Sequence, residues 1–315
     1  MRNLFSGSSL CVVGNINRDV KLLGVPASRR LLKDGETSVA NVIETVGGGG
    51  ANSACAAAAL GARVQFVGKV GTDALGTQLE KALQRHGVKT HLRRERRCST
   101  GTSVAMGFAD GQRHFLSWLP NNQTLRFEDL TLGALNHSRH LLRADVWFSP
   151  SMLAEGNGRL FSEARKRGMA ISLDINFDPV WATGSPREIR QRKEWLRKVL
   201  GMIDLAHGNV HELCEFTDSS TLKRALARLS DWGVPGVVVH LGSRGAGYFR
   251  DGRLVLEPAN PARRQVHSTG TGDVLSICMM LLEARKDLTI QQKLRISNRI
   301  VREFIEGRRA LIPAI

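Results

Sequence analysis

Short β-branched runs alternate with longer amphipathic ones along most of this 315-residue chain, the pattern of a parallel sheet covered by helices. Candidate strands lie at residues 10–13, 64–67, 146–149, 170–173, 203–206 and 236–241, and candidate helices at 51–60, 74–85, 154–167, 188–200, 221–232, 273–284 and 290–306. Two segments break the order, 20–46 and 102–118. In the second, polar and apolar residues alternate around Asp110-Gly111, a dipeptide that supplies the positive backbone angles of a tight hairpin. Together these segments are expected to form a small β-rich lid over one edge of an α/β core. The length suits one large domain or two unequal ones, with no repeat and no low-complexity linker.

Composition narrows the class. With 42% hydrophobic residues the chain is globular, and its uncharged apolar runs are too short to span a bilayer, so no membrane association is expected. The N-terminal apolar run leads into a Gly-Asn turn and reads as a first strand rather than a secretory signal. Five cysteines stand without paired spacing, three of them in apolar runs, which fits a reducing, cytoplasmic setting. A net charge of +16 raises the question of nucleic acid. The basic residues are dispersed, however, and no zinc-finger spacing or aromatic-basic RNA motif accompanies them, so the charge reads as a solvated surface that also attracts anionic substrates.

The chemistry concentrates in VHSTGTGDVLSICMMLL, residues 266–282, where a glycine-spaced turn and one carboxylate, Asp273, precede an apolar helical run. Amides converging at a helix start bind anions, and an aspartate beside them can handle a proton. The amides of Gly270, Thr271 and Gly272 can thus meet a transferring phosphoryl group, although Ser268 and Thr269 could also simply cap the helix. Four glycines at 47–50 precede a helix of small residues, and Asn52 on its first turn offers a donor and an acceptor to hydroxyls. In GNINRD, residues 14–19, Asn17 and Asp19 point the same way if the chain stays extended. Asn209 and Glu212 in NVHE form either a helix cap or a holder for the waters around Mg²⁺ near phosphates. The strand and Gly-Ser-Arg-Gly turn of residues 237–249 form ordinary hairpin chemistry that a nucleotide site can also use.

In this order the segments resemble the PfkB family of carbohydrate kinases, across essentially the whole chain. GGGGANSACAAAALGARVQFVGKVGTDALG, residues 47–76, is similar to the family's first signature, and STGTGD, residues 268–273, to the second, usually written D-T-x-G-A-G-D. The resemblance implies a three-layer α/β/α ribokinase-like sandwich with a mostly parallel sheet, a single domain over 1–315, and a lid from about 20–46 and 99–119. It implies ATP-dependent phosphorylation of a sugar or sugar-like hydroxyl with Mg²⁺, Asp273 as catalytic base and the 270–272 amides as anion hole. By the same resemblance Asn17, Asp19, Gly48 and Asn52 hold substrate hydroxyls, and Asn209, Gly242, Gly245 and Asn298 meet the nucleotide. Glu212 serves Mg²⁺ through water. A homodimer paired through the lids is also implied, and a nucleic-acid partner is not.

The chain departs from the pattern at several places. His267 stands at the signature's first aspartate, which in ribokinase-like members helps bind a monovalent cation, so that cation is left open. His240 replaces a threonine, and Asp178 stands where many members carry arginine. Residues 149–152 lack an acidic residue that ribokinase offers its sugar. The departures at His267, His240 and Asp178 keep a sugar or nucleotide sensor without turnover in view, and a nucleoside kinase of the same family is a second alternative, because the sugar of a nucleoside presents a similar hydroxymethyl group.

Overall fold

The computed structural model describes residues 4, 5, 7–27, 31, 33–108, 113–267 and 269–315, so the Asp110-Gly111 turn and Ser268 lie outside the described residues. In chain order the strands are β1 (Ser9–Val13), β2 (Asn17–Val25), β3 (Asn41–Gly47), β4 (Arg63–Gly71), β5 (Val88–Glu95), β6 (Thr102–Phe108) and β7 (Arg113–Trp118). They continue with β8 (His140–Arg143), β9 (Ala170–Asp174), β10 (Leu205–Asn209), β11 (Gly236–His240), β12 (Ala246–Arg250) and β13 (Arg253–Glu257). Among the described residues, nine form a central sheet in the order β13-β12-β11-β10-β9-β8-β1-β4-β5. It is parallel from β11 to β5, with β12 and β13 antiparallel at one edge.

Both faces of this sheet are covered, and β1 shows why residues 10–13 are all apolar. Leu10 and Val12 enter a core with helices Gly49–Ala59, Ala74–Arg85, Thr271–Glu283 and Ile290–Ile305. Cys11 and Val13 point the other way, to Asn157–Lys166, Pro186–Arg197, Val210–Phe216 and Leu222–Asp231. The period of two distributes one strand's side chains between two cores, giving the three layers anticipated above. Glycine is needed where helix Gly49–Ala59 begins, because the chain is crowded there: a Cβ on Gly14, just past β1, would lie 2.8 Å from the Gly50 Cα.

One strand lies elsewhere than expected and two edge strands are added. The strand expected at 146–149 lies upstream at His140–Arg143, because Asp145 turns the chain with φ 55°. Val146 and Trp147 are buried as their apolarity suggests, but beyond the strand's end. The two sheet edges, β5 and β13, were not anticipated, since VKTHLRRE and RLVLE carry the charges that edge strands use against further pairing.

The second sheet has the order β3-β2-β6-β7; β2 runs parallel to β6 and antiparallel to β3, and β6 and β7 pair antiparallel. Its polarity is inverted relative to an ordinary surface sheet. On β2 the buried residues are Asn17, Asp19 and Lys21, alternating with half-buried Arg18, Val20 and Leu22. On the opposite face Val42, Leu116 and Trp118 are exposed. Residues 311–315 run beside β3, where Val46 N donates to Pro313 O (3.2 Å) and Thr45 bridges to Ala314.

Candidate active site

Strand order reverses at the junction of β1 and β8, since the chain proceeds from β1 outward through β4 and β5 and then from β8 outward through β11. Crevices at such reversals, beyond the strands' C-terminal ends, are where open α/β sheets bind ligands. Asp145 occupies this one. Its carboxylate accepts from Asn15 N (3.0 Å), Gly49 N (3.1 Å) and Gly50 N (2.7 Å), tying the β1 exit to the start of helix Gly49–Ala59. Its own N–H donates to Asn176 Oδ1 (2.9 Å), and both residues hold left-handed backbone angles. The carboxylate is therefore a structural clamp at a helix N-terminus, where the dipole favours an anion.

Around it the glycines are obligatory. Gly48 has φ 89°, and a Cβ there would lie 2.5 Å from Asn15 O; on Gly47 it would lie 2.0 Å from Asp19 Oδ1. Asn17 Nδ2 donates to Asp19 Oδ1 (2.8 Å), so the two residues do face the same way. Burial pushes the Asp19 carboxyl up to about 6, against the opposing pull of Lys21 and Asn17. Across the ladder from Asp19 stands Thr45, whose buried hydroxyl has no partner.

Gly270 takes a left-handed conformation (φ 80°) and caps helix Thr271–Glu283, leaving first-turn amides without intrahelical partners. A Cβ on Gly270 would meet the Ile312 side chain at 2.4 Å, so the 311–315 segment closes one side of this turn. Asp273, in that first turn, receives Asn52 Nδ2 at 3.1 Å, which joins the two glycine-rich motifs. Asn52 Oδ1 is buried and has no hydrogen-bond partner. Although Asp273 keeps some accessible surface, its enclosure pushes its pKa up to about 7, reinforced by the charge of Asp145 and more weakly by Asp19 and Glu212. Asp174, at the end of β9, is pushed well up by burial and by Glu212, Asp273 and Asp145.

On the other flank Asn209 and Glu212 form a complete capping box: Asn209 N donates to Glu212 Oε2 (2.7 Å) and Glu212 N to Asn209 Oδ1 (2.9 Å). The cap thus exists, and burial raises the Glu212 pKa. Gly242 (φ 62°) opens to free space, whereas a Cβ on Gly245 (φ 108°) would lie 2.2 Å from Glu257 O. Asn298 donates to Glu257 O (3.0 Å) and Pro258 O (3.2 Å), so it braces the wall against which Gly245 packs.

The departures also find places. His240 bonds Ser276 Oγ through Nε2 (3.0 Å), is lowered by burial to about 4, and would touch a Cβ on Gly272 at 3.1 Å. It is thus a neutral spacer behind the glycine turn. His267 stacks on Phe304 with ring centroids 4.8 Å apart, and burial lowers its pKa. Asp178 belongs to the scaffold, since Arg192 grips both its oxygens at 2.6 and 3.1 Å in full burial. Ser149 Oγ donates to Leu125 O and also accepts Met152 N (3.2 Å), a turn contact.

Sequence reasoning passed over Asp145, Asp174 and Lys21. Lys21 alone had a local signal, because it continues the every-second-residue spacing of Asn17 and Asp19. Asp145 works through amides 95 and 130 positions away, which no local pattern contains.

Comparison with known proteins identifies the family and the fold. The chain is 30% identical over 281 residues to ribokinase of Arabidopsis thaliana, covering 85% of this chain and 68% of that protein. It is 28% identical to ribokinase of Bacillus subtilis, covering 92% and 90%. Arabidopsis thaliana ribokinase solved with ribose and ATP superposes with a TM-score of 0.71 at 24% identity, over 96% of this chain and 94% of that one. Residues 8–276 match the model of the pfkB family carbohydrate kinases, so this protein belongs to that family and is a phosphotransferase of the carbohydrate-kinase type.

Proposed function

We propose that the protein transfers the γ-phosphoryl group of ATP to a hydroxyl of a sugar or sugar-like acceptor, with Asp273 as base. The observation that carries this reading is the Asp273 carboxylate, raised to about 7 and held by Asn52 in the first turn behind left-handed Gly270. A base with a pKa near the working pH is the most effective kind. As the acceptor oxygen bonds to phosphorus and the bond to the ADP oxygen breaks, Asp273 takes the hydroxyl proton. The amides of Gly270, Thr271 and Gly272 face the phosphoryl charge, and little else is asked of the protein beyond positioning.

Asn17, Asp19, Gly48 and Asn52 line the acceptor side, where the Asn52 Oδ1 lacks a partner that an acceptor hydroxyl would supply. Gly242 and Gly245 admit the nucleotide closely, and Asn298 holds the wall of that loop. Oxygen donors suit Mg²⁺, and the Glu212 oxygen outside the capping box would hold it through water; bound there, the ion would neutralise phosphate charge. We read residues 1–315 as one catalytic domain whose segments 20–46 and 99–119 act as a lid. The exposed Val42, Leu116 and Trp118 on its outer face support pairing of two copies through their lids.

The test is ADP release over a panel of pentoses, hexoses and nucleosides. Asp273→Asn should lower turnover about 1,000-fold or more while ATP affinity by calorimetry stays within about threefold. A variant that keeps most of its turnover removes Asp273 from the role of base.

A further inference from the structure

The inner face of the small sheet carries a charge that phosphoryl transfer, as described above, does not use. Lys21 is only 8% exposed. Its row across the sheet is Ile43 on β3, Ala105 on β6 and Phe115 on β7, none of which carries a negative charge. Among the described residues no carboxylate comes within ion-pair distance of it. The charges acting on it are Asp19, two residues back on the same face, and Asp273 across the cleft; burial nonetheless lowers its pKa. His267 is near enough to feel the ammonium.

An ammonium on so enclosed a side chain, without an ion-pair partner, is costly, and a ligand that supplies the anion removes the cost. The same face is unfinished at Thr45, opposite Asp19, whose buried hydroxyl has no partner. Two residues of strand separate Lys21 from Asp19 by about 6.8 Å, roughly the reach from one hydroxyl of a sugar to the group at its far end. We propose that Lys21 selects an acceptor bearing a carboxylate or phosphate at the end remote from the phosphorylated hydroxyl, an acidic sugar rather than a neutral one. This inference rests on the kinase reading above. Lys21 shares its strand face with Asn17 and Asp19 and not with Gly270–Gly272, which places it on the acceptor rather than on the transferring phosphoryl group. The net charge of +16 favours encounter with such substrates.

The experiment compares wild type, Lys21→Met and Lys21→Arg on D-gluconate and D-fructose 6-phosphate against D-ribose and D-fructose, by ADP release and by calorimetric binding. For wild type, kcat/KM should be about thirtyfold higher for at least one anionic probe than for the neutral sugars, the size expected of a charge-assisted contact. Which anion wins distinguishes carboxylate from phosphate. Lys21→Met should raise the KM of that probe about tenfold or more with kcat nearly unchanged, and leave neutral sugars alone, while Lys21→Arg retains the preference. Equal loss of kcat on neutral and anionic acceptors overturns the inference, as does a wild-type preference for neutral sugars. If no probe releases ADP but an anionic one binds wild type and not Lys21→Met, the anion site stands and the kinase reading falls. Turnover of neutral sugars without anion binding has the opposite meaning, and binding of no probe overturns both.

Discussion

Asp273 carries a proton far above the range of an ordinary aspartate, which has consequences for both rate and stability. Its pKa, raised from 3.8 to about 7, means that the carboxylate form appears only as pH rises through neutrality. The pH profile of kcat/KM should therefore show an acid limb, falling about tenfold per unit below pH 7. For stability the sign is opposite to that of a salt-bridged carboxylate. The folded state holds this proton more tightly than the unfolded chain, so the group's contribution declines between about pH 4 and pH 7 and stays low above. Asp273→Asn should then raise stability by about 1–3 kcal/mol at pH 8, and by almost nothing at pH 4, in urea titrations of the two forms. Gly245 offers a different kind of test. With φ 108° and a Cβ position 2.2 Å from Glu257 O, Gly245→Ala must move the 257–259 wall, and ATP affinity should fall about tenfold or more while acceptor KM changes little.

At the scale of elements, the limits of most helices were legible because period 3.6 and capping residues agree; Ala74–Arg85 was placed to the residue, capped by Asp73. The apolar run VWF misplaced one strand, since Val146 and Trp147 are buried in a turn that Asp145 creates. The charged edge strands escaped notice because their sequences answer to solvent rather than to a core. The candidate site divides in the same way. Asp273, Gly270 and Asn52 sit in short motifs with their chemistry in view, whereas the clamp at Asp145 exists only after β1, β8 and helix Gly49–Ala59 have converged. Asp178, which the sequence suggests as a change to the site, instead anchors helix Pro186–Arg197 through buried Arg192. Asp178→Ala should cost about 3–5 kcal/mol in urea unfolding by stranding that guanidinium, and leave the turnover of folded protein intact.

At the scale of the molecule, two layers of helix enclose a sheet whose order reversal sets the cleft, and a smaller sheet carries Asn17, Asp19 and Lys21 on its inner face. If two copies pair through their lids, Trp118→Glu should shift sedimentation toward monomer without loss of thermal stability in the monomer, since Trp118 is 62% exposed and supports no core. The five cysteines are all unpaired, three of them buried, so reducing agents should leave the unfolding midpoint unchanged. The small sheet, polar within and apolar without, has a practical consequence. Left alone it shows water its apolar side and hides its polar one, so a ligand that completes the inner hydrogen bonds, or a surface that covers the outer face, would stabilise it. Purification yield and shelf life should therefore respond to protein concentration and to added acceptor, each additive gaining in proportion to the logarithm of its amount.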